Sequence, residues 1–513
     1  MKNNLIYLLV LVALLPVILL RDYTPDNELR YLSIVDEALQ NGTFFTFTNQ
    51  GEMYADKPPL YFWIIMLGKY LLGAHHMWFL SLFSLIPAFV IVYTMDKWSN
   101  AKIAKEYRLT GKLLLLSCGL FLGLAIILRM DMLMAMFIVL ALRTFYRMLK
   151  EEGCQRLNSI LFPVYLFLAV FSKGPVGILV PLLSTCAFLL FTKRISSFGR
   201  YWGWRTWGIL LLGCLAWFGC VYAEGGTPYL NNLLFHQTID RAVNSFHHER
   251  PFYYYFISIW YSLLPWSVLL IGVIAVAAWR RQIHSELQKF FLTILITTFL
   301  MLSLVSSKID VYLLPTYPFF VYLAVMKLSH YKWNRWLALS VAIPAIIFGV
   351  ALPVLICLAQ QDGTRFLGQT LFYLGGGILT ISGLISLYFL YHRKQINKAI
   401  NTLACGLFCA VFAGGWALPN INNELGYGEL CRTALQISEE KHLSGYHVWN
   451  ISRPENMDVY LKEDIQVVTR EDITSGKLHD TILMLPAKEI ESLKEIAPGK
   501  VSYIVGPYGI VVL

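Results

Sequence analysis

Charge is scarce in this sequence: Asp, Glu, Lys and Arg make up only 14% of its 513 residues, where a soluble globule carries about a quarter. With 57% apolar residues and a mean hydropathy of +0.56, this shortage all but excludes a soluble enzyme and points to repeated membrane crossing. Paired cysteine spacing is also lacking. The nine cysteines fall mostly inside apolar runs, as at Cys118, Cys186, Cys214 and Cys405, so neither a disulfide framework nor a structural zinc site is indicated. The polar tail has no glycine-rich dinucleotide or phosphate loop. No internal repeat is visible, which weighs against a transporter built from inverted halves. The apolar start, Met1–Leu20, lacks a strong small-residue cleavage site and runs directly into Arg21 and Asp22. It reads as a retained span, not a signal peptide.

What is present is a series of about 13 apolar runs, at 3–20, 78–95, 111–128, 132–147, 157–171, 175–191, 206–223, 252–275, 288–304, 313–327, 335–357, 367–390 and 398–418. The segment 58–73 reads either as a further span or as a helix at the interface. The formal charge of +10 would suit a nucleic-acid binder, but residues 420–513 hold 14 acidic and 9 basic residues, leaving +15 for the rest. Much of that excess forms short clusters between spans, such as Lys97–Lys112, Arg143–Arg156, Lys193–Arg205 and Arg393–Lys398. With the N-terminus in the cytoplasm and 58–73 not crossing, every basic cluster falls on the cytoplasmic side. The loops 21–77 and 224–251 and the tail 420–513 then lie on the opposite, outer side. The expected fold is an α-helical polytopic membrane protein, with a transmembrane domain over 1–419 and a small α/β domain over 420–513. Short helices are expected at Gly428–Ser438 and Glu455–Leu461, and strands at Tyr446–Ile451, Ile465–Val468, Thr481–Leu485 and Val501–Ile504.

The outer side collects the charges that membrane orientation does not explain. Asp26 and Glu28 follow Pro25 at the start of an amphipathic pattern through Leu29, Leu32, Val35 and Leu39. They either cap a surface helix or supply a general base. Asp56 and Lys57 precede Pro58–Pro59, which remove backbone donors and stiffen the chain. Lys57 either snorkels to headgroups or neutralises a bound phosphate. Arg129 and Asp131 lie between two spans, as a structural pair or as support for the reaction. Lys308 and Tyr312 are four apart and share a face if that piece is helical, where they would grip one phosphate. Lys173 in Ser172–Pro175 offers a further cation. The loop 224–251 holds His236, His247 and His248. His247 and His248, with Asp56, leave a divalent metal open as the one cofactor considered. Cations, isolated carboxylates and a membrane boundary together suit a lipid-linked phosphate donor with its tail among the helices. Such a donor is already activated, and a single displacement inverts the sugar carbon.

The pieces Asp26–Tyr31, Tyr54–Leu60, Arg129–Asp131 and Ser307–Pro315, with a weaker fit at 236–252, resemble the membrane glycosyltransferases (GT-C type) that include protein O-mannosyltransferases and the bacterial lipid A aminoarabinose transferase. The resemblance covers most of the chain and lies closer to the bacterial branch. It implies transfer of a sugar from a polyprenyl (undecaprenyl) phosphate to a lipid or protein acceptor on the periplasmic side of a bacterial inner membrane. No nucleic-acid partner is implied. A flippase for the lipid-linked sugar is the main rival, and protein O-glycosylation is the other transferase reading. By resemblance, Asp26 or Glu28 is the essential acid, Lys57 and Tyr312 contact donor phosphate, and Asp131 supports them. Arg30, Tyr54, Asp56, Arg129, Lys173 and Lys308 complete the expected substrate-binding set. The chain departs from the family at Asp56, where bacterial relatives often have glutamate, and, more consequentially, at the first motif. Relatives carry Asp–Glu, one residue, then Arg–Tyr, whereas here Asp26 stands one position early and Asn27 precedes Glu28.

Overall fold

A computed structural model describes residues 4–234, 249–475, 478–492 and 501–513. Helix dominates, as it must where apolar chain crosses lipid, because only a helix or a closed barrel satisfies every backbone N–H and C=O there. Among the described residues eight helices are long and apolar enough to span a bilayer, and up to eleven spans result if each of three bent pairs counts as one. The chain is thus a multi-pass membrane protein. It divides into two compact units, one formed by Met1–Leu14, Ala55–Trp63 and Ser81–Gly414, the other by Leu15–Tyr54, Ile64–Leu80 and Gly415–Leu513.

In the larger unit the helix Asp131–Leu149 forms the interior: 72% of its apolar window is buried, against 22% for Trp204–Leu234. The reason is its side chains. Ala135, Ile138, Leu142 and Phe145 line a fully buried face, and Phe145 meets Tyr201 edge-on at 4.8 Å between ring centres. Two pairs of polar groups inside this packing satisfy one another. Lys112 and Asp96 lie 3.2 Å apart, both nearly inaccessible, and the Trp266 indole donates to Ser117 at 2.8 Å. The apolar run 252–275 is broken into two helices, Tyr254–Ser262 and Ser267–Trp279.

The smaller unit begins with an unusual turn. Pro25–Leu29 is π-helical, with Leu29 N–H bonding back five residues to Thr24 O at 3.1 Å, and it runs into the amphipathic helix Arg30–Asn41. That helix buries Leu32, Ile34, Val35 and Ala38 and stops at Gly42, whose φ of 70° suits a left-handed cap. A hairpin follows, β1 (Thr48–Asn49) with β2 (Glu52–Met53). Its turn residues Gln50 and Gly51 both have positive φ, 58° and 76°. The Glu37 carboxylate stabilises the turn by accepting from Gln50 N at 2.8 Å and Gly51 N at 3.0 Å.

Near the C-terminus, β3 (Tyr446–Val448), β4 (Ile465–Val467), β5 (Ile482–Pro486), β6 (Ser502–Val505) and β7 (Tyr508–Val512) form one sheet in the order β4-β3-β5-β7-β6. β3 pairs parallel with β4 and β5, while β5–β7 and β6–β7 are antiparallel. The helix Gly428–Lys441 buries Leu430, Cys431, Ala434 and Ile437, one face of its 3.6-residue period. The four strands expected from sequence are present, three within one residue and the first, Tyr446–Ile451, stopping three residues short at Val448. The fifth, β7, was missed because Gly506 and Pro507 were not read as the turn of a hairpin.

Candidate functional site

In the larger unit a charged cluster forms where helices end. Asp131 opens its helix and is 1% exposed. Lys173 closes the next helix, Gln155–Lys173, just before Gly174 with φ 105°. A carboxylate at a helix start and an ammonium at a helix end each complement the local dipole. The two helices are antiparallel neighbours in sequence, so these ends meet. Lys173 ion-pairs with one Asp131 oxygen, and Arg129 Nε donates to the other at 3.0 Å. The Lys173 ammonium also sits over the Tyr312 ring, 4.9 Å from its centre, and lies within electrostatic reach of Lys57.

Lys57 is held by its neighbour. Its Nζ lies 2.7 Å from Asp56 Oδ2, and both side chains are 18% exposed. Pro58 and Pro59 are buried, and the helix Leu60–Leu72 starts immediately after them. In this cluster three cations, Lys57, Arg129 and Lys173, face two carboxylates, Asp56 and Asp131. The cluster thus gathers more cations than carboxylates. Asp131 has both oxygens committed to cations.

The lysine–tyrosine expectation needs correction. Lys308 precedes the 3₁₀ turn Asp310–Thr316, in chain that is not helical, so Lys308 and Tyr312 do not share a helical face. Lys308 is 3% exposed and its Nζ donates to Arg250 O at 2.9 Å, fixing a backbone bridge between Glu249 and Ser307. Lys173 takes the place beside Tyr312 that the sequence reading gave to Lys308. Two residues went unnoticed. Tyr254 and Tyr261 donate to the same Asp310 oxygen at 2.7 and 2.6 Å. Their spacing of seven on one apolar helix was the available signal, since it sets both phenols on one face.

In the smaller unit Asp26 and Glu28 separate cleanly. Glu28 is 0% exposed. Its oxygens accept from both Arg21 guanidinium nitrogens at 2.6 and 2.7 Å, and from Thr24 N at 2.7 Å and Oγ1 at 2.9 Å. A carboxylate so saturated has the geometry of a structural anchor. Asp26, in the π turn, is exposed. Arg30 and Tyr54 are half-buried, with Tyr54 N donating to Phe47 O at 2.8 Å. His236, His247 and His248 lie outside the described residues. Among the described residues no group of three or more His, Cys, Asp or Glu is placed to hold a metal, so Asp56 alone does not make one.

No protein-family model matches the chain. It is similar to an uncharacterized protein of Aquifex aeolicus, 28% identical over 60% of this chain and 61% of that one. It is 24% identical to undecaprenyl phosphate-alpha-4-amino-4-deoxy-L-arabinose arabinosyl transferase 1 of Pseudomonas fluorescens, over 88% of this chain and 81% of that one. The Yersinia pestis (strain Pestoides F) transferase of the same description is 26% identical over 60% of this chain and 55% of its own length. The match thus spans less than two thirds of the Aquifex and Yersinia relatives. Among solved structures, ArnT from Cupriavidus metallidurans bound to undecaprenyl phosphate superposes with a TM-score of 0.76 at 17% identity, over 100% of this chain and 98% of that one. Its apo state gives 0.75. The fold is therefore the ArnT fold.

Proposed function

We propose that this chain is an ArnT-like glycosyltransferase, which moves a sugar from an undecaprenyl-type phosphate to an acceptor in the bacterial envelope. The observation that carries the reading is the buried Lys173–Asp131–Arg129 network, which meets Tyr312 and the charge of Lys57 within a fold shared with a protein solved on undecaprenyl phosphate.

The chemistry follows from that charge. The acceptor oxygen bonds to the anomeric carbon from one side while the carbon–oxygen bond to phosphate breaks on the other, inverting the configuration. The lipid phosphate leaves with the bonding electrons. Lys57, Lys173 and the Tyr312 hydroxyl stabilise the growing negative charge, and prepositioned cations cost no reorganisation at that moment. Asp26 takes the acceptor proton. Asp131 and Asp56 hold the cations in place. The relatives' printed substrate favours an amino-pentose donor and a lipid A-like acceptor.

The proposed topology takes one crossing from each bent pair, with Pro25–Asn41 left outside its crossing, adds the shorter apolar helices Val176–Phe191 and Ser267–Trp279, and lays Leu60–Leu72 at the interface, giving about 13 crossings. The N-terminus is then cytoplasmic. The loops 21–77 and 224–251 and the domain 420–513 are periplasmic, and the membrane is the bacterial inner membrane.

The test is turnover by purified protein in lipid, with undecaprenyl-phosphate sugars and envelope extracts, read by mass spectrometry. Donor loss coupled to one defined mass gain on an acceptor is expected, and the gaining molecule separates lipid from protein acceptors. Intact donor with labelled lipid changing leaflet would overturn the transferase reading in favour of a flippase.

A further inference from the structure

A second feature of the larger unit lies on other helices and has a different character. Between the helices Thr370–Tyr391 and Ile396–Gly415 runs an open groove of about 590 Å³, walled by Ile381, Ile385, Cys405 and Cys409. Only 28% of the apolar window of Thr370–Tyr391 is buried, so the groove opens toward the bilayer. One end is cationic. Lys398 lines it, exposed, with its ammonium 5.8 Å from the centre of the Phe389 ring. The connecting turn adds exposed Arg393 and Lys394. Residues 388–401 contain no Asp or Glu, so the turn brings no countercharge of its own. One helical turn deeper than Lys398, the groove is lined by Asn401, whose Oδ1 is buried without a hydrogen-bond partner.

We infer that this groove is a binding site for an anionic diacyl glycerophospholipid. A basic turn at a membrane face attracts an anionic headgroup. Lys398 would neutralise the phosphate while its stem lies along the apolar wall. The Asn401 amide sits about 4.5 Å further in along the helix, the depth of the glycerol esters. Turned about its terminal bond, it donates to an ester carbonyl and ceases to be a buried amide without a partner. The acyl chains fill the isoleucine-walled groove. This site is independent of the proposed sugar transfer, because none of its residues belongs to the cluster around Asp131.

The test is native mass spectrometry of the full chain released from detergent, titrated separately with phosphatidylglycerol, phosphatidylcholine and undecaprenyl phosphate. Phosphatidylglycerol is expected to be retained over phosphatidylcholine. Lys398→Gln should weaken its retention by about fivefold, and Lys398→Arg should restore it. Cys405→Phe, which narrows the groove at an exposed position, should weaken both diacyl lipids. Equal retention of the two lipids by the parent chain would overturn the proposal, as would a Lys398→Gln variant indistinguishable from it. Preferential uptake of undecaprenyl phosphate, competed by neither diacyl lipid, would reassign the groove to the isoprenoid carrier and overturn it too. A dimer mass that Cys405→Phe dissociates would make the groove a contact between copies, with the same consequence.

Discussion

Two buried carboxylates, one in each compact unit, show how similar residues come to different ends. Glu28 has one guanidinium and one threonine, and their donors meet both of its oxygens. Asp131 has two cations, Lys173 and Arg129, and one of these also touches a tyrosine ring. The first arrangement is balanced, one charge against one. The second carries more positive charge than its carboxylate neutralises. A buried ion pair is weak grounds for stability, but a buried surplus of one sign has to be explained by what arrives to meet it. That difference separates an anchor from a binding site better than burial, which the two share.

Removing each carboxylate tests the distinction. Asp131→Ala leaves Lys173 buried without its carboxylate, and a broken buried pair costs about 3–5 kcal/mol. We expect a large fall in the unfolding midpoint in detergent. The double variant Asp131→Ala/Lys173→Met should recover most of the stability without recovering turnover. Recovery of both would mean that the cluster is scaffold only. Next in size is the contrast at the π turn. Asp26→Asn should lower turnover by about 10²–10⁴-fold, the usual contribution of a general base, with the unfolding midpoint unchanged. Glu28→Gln should do the reverse, costing stability through the stranded Arg21 and reducing activity only as folded protein is lost. If Glu28→Gln abolishes turnover in a fully folded chain, Glu28 is no mere anchor. Smaller still is the lysine exchange. Tyr312→Phe and Lys173→Met should raise the donor KM, whereas Lys308→Met should leave KM alone and loosen the bridge between Glu249 and Ser307, seen as faster backbone hydrogen exchange there.

Much of this was legible in the sequence, for reasons that differ by element. The spans follow from composition alone, because lipid enforces helix wherever 18 or more apolar residues run together. The strands β3 to β6 showed as short β-branched runs. What the sequence hid was local register. The displaced Asp26 looked like a broken motif, yet a π turn widens the helix at that point, the kind of one-turn adjustment found at functional sites. Periodicity of 3.6 cannot reveal it. Spacing also misled at Lys308 and Tyr312: four residues apart means a shared face only in a helix, and Ser306–Ile309 is not helical. The meeting of Lys173 with Asp131 could be guessed only by treating two helix ends as neighbours, which the short loop between their helices permits.

The smaller unit offers a finer version of the comparison, in a half-buried carboxylate held by neutral donors. Asp458 Oδ2 accepts from Ser33 Oγ at 2.7 Å and Gln50 Nε2 at 3.1 Å, while Oδ1 is buried with no partner. Burial pushes its pKa up to about 6, and the nearby Asp36 and Glu37 charges push in the same direction, against the Ser33 hydrogen bond. A carboxyl raised in the folded state favours folding while it is protonated. Its contribution is greatest below the unfolded value of about 3.9, shrinks as pH rises, and is gone above about 6. Asp458→Asn keeps an acceptor for Ser33 and Gln50 but cannot ionise. It should therefore be more stable than the parent at pH 7, by about 1–3 kcal/mol, with the gap closing toward pH 4. Unfolding midpoints of both proteins across pH 4–7 test this. A gap that does not change with pH would show that Asp458 stays ionised throughout, and that the hydroxyl and amide donors alone are enough to hold a half-buried charge where Asp131 needs two cations.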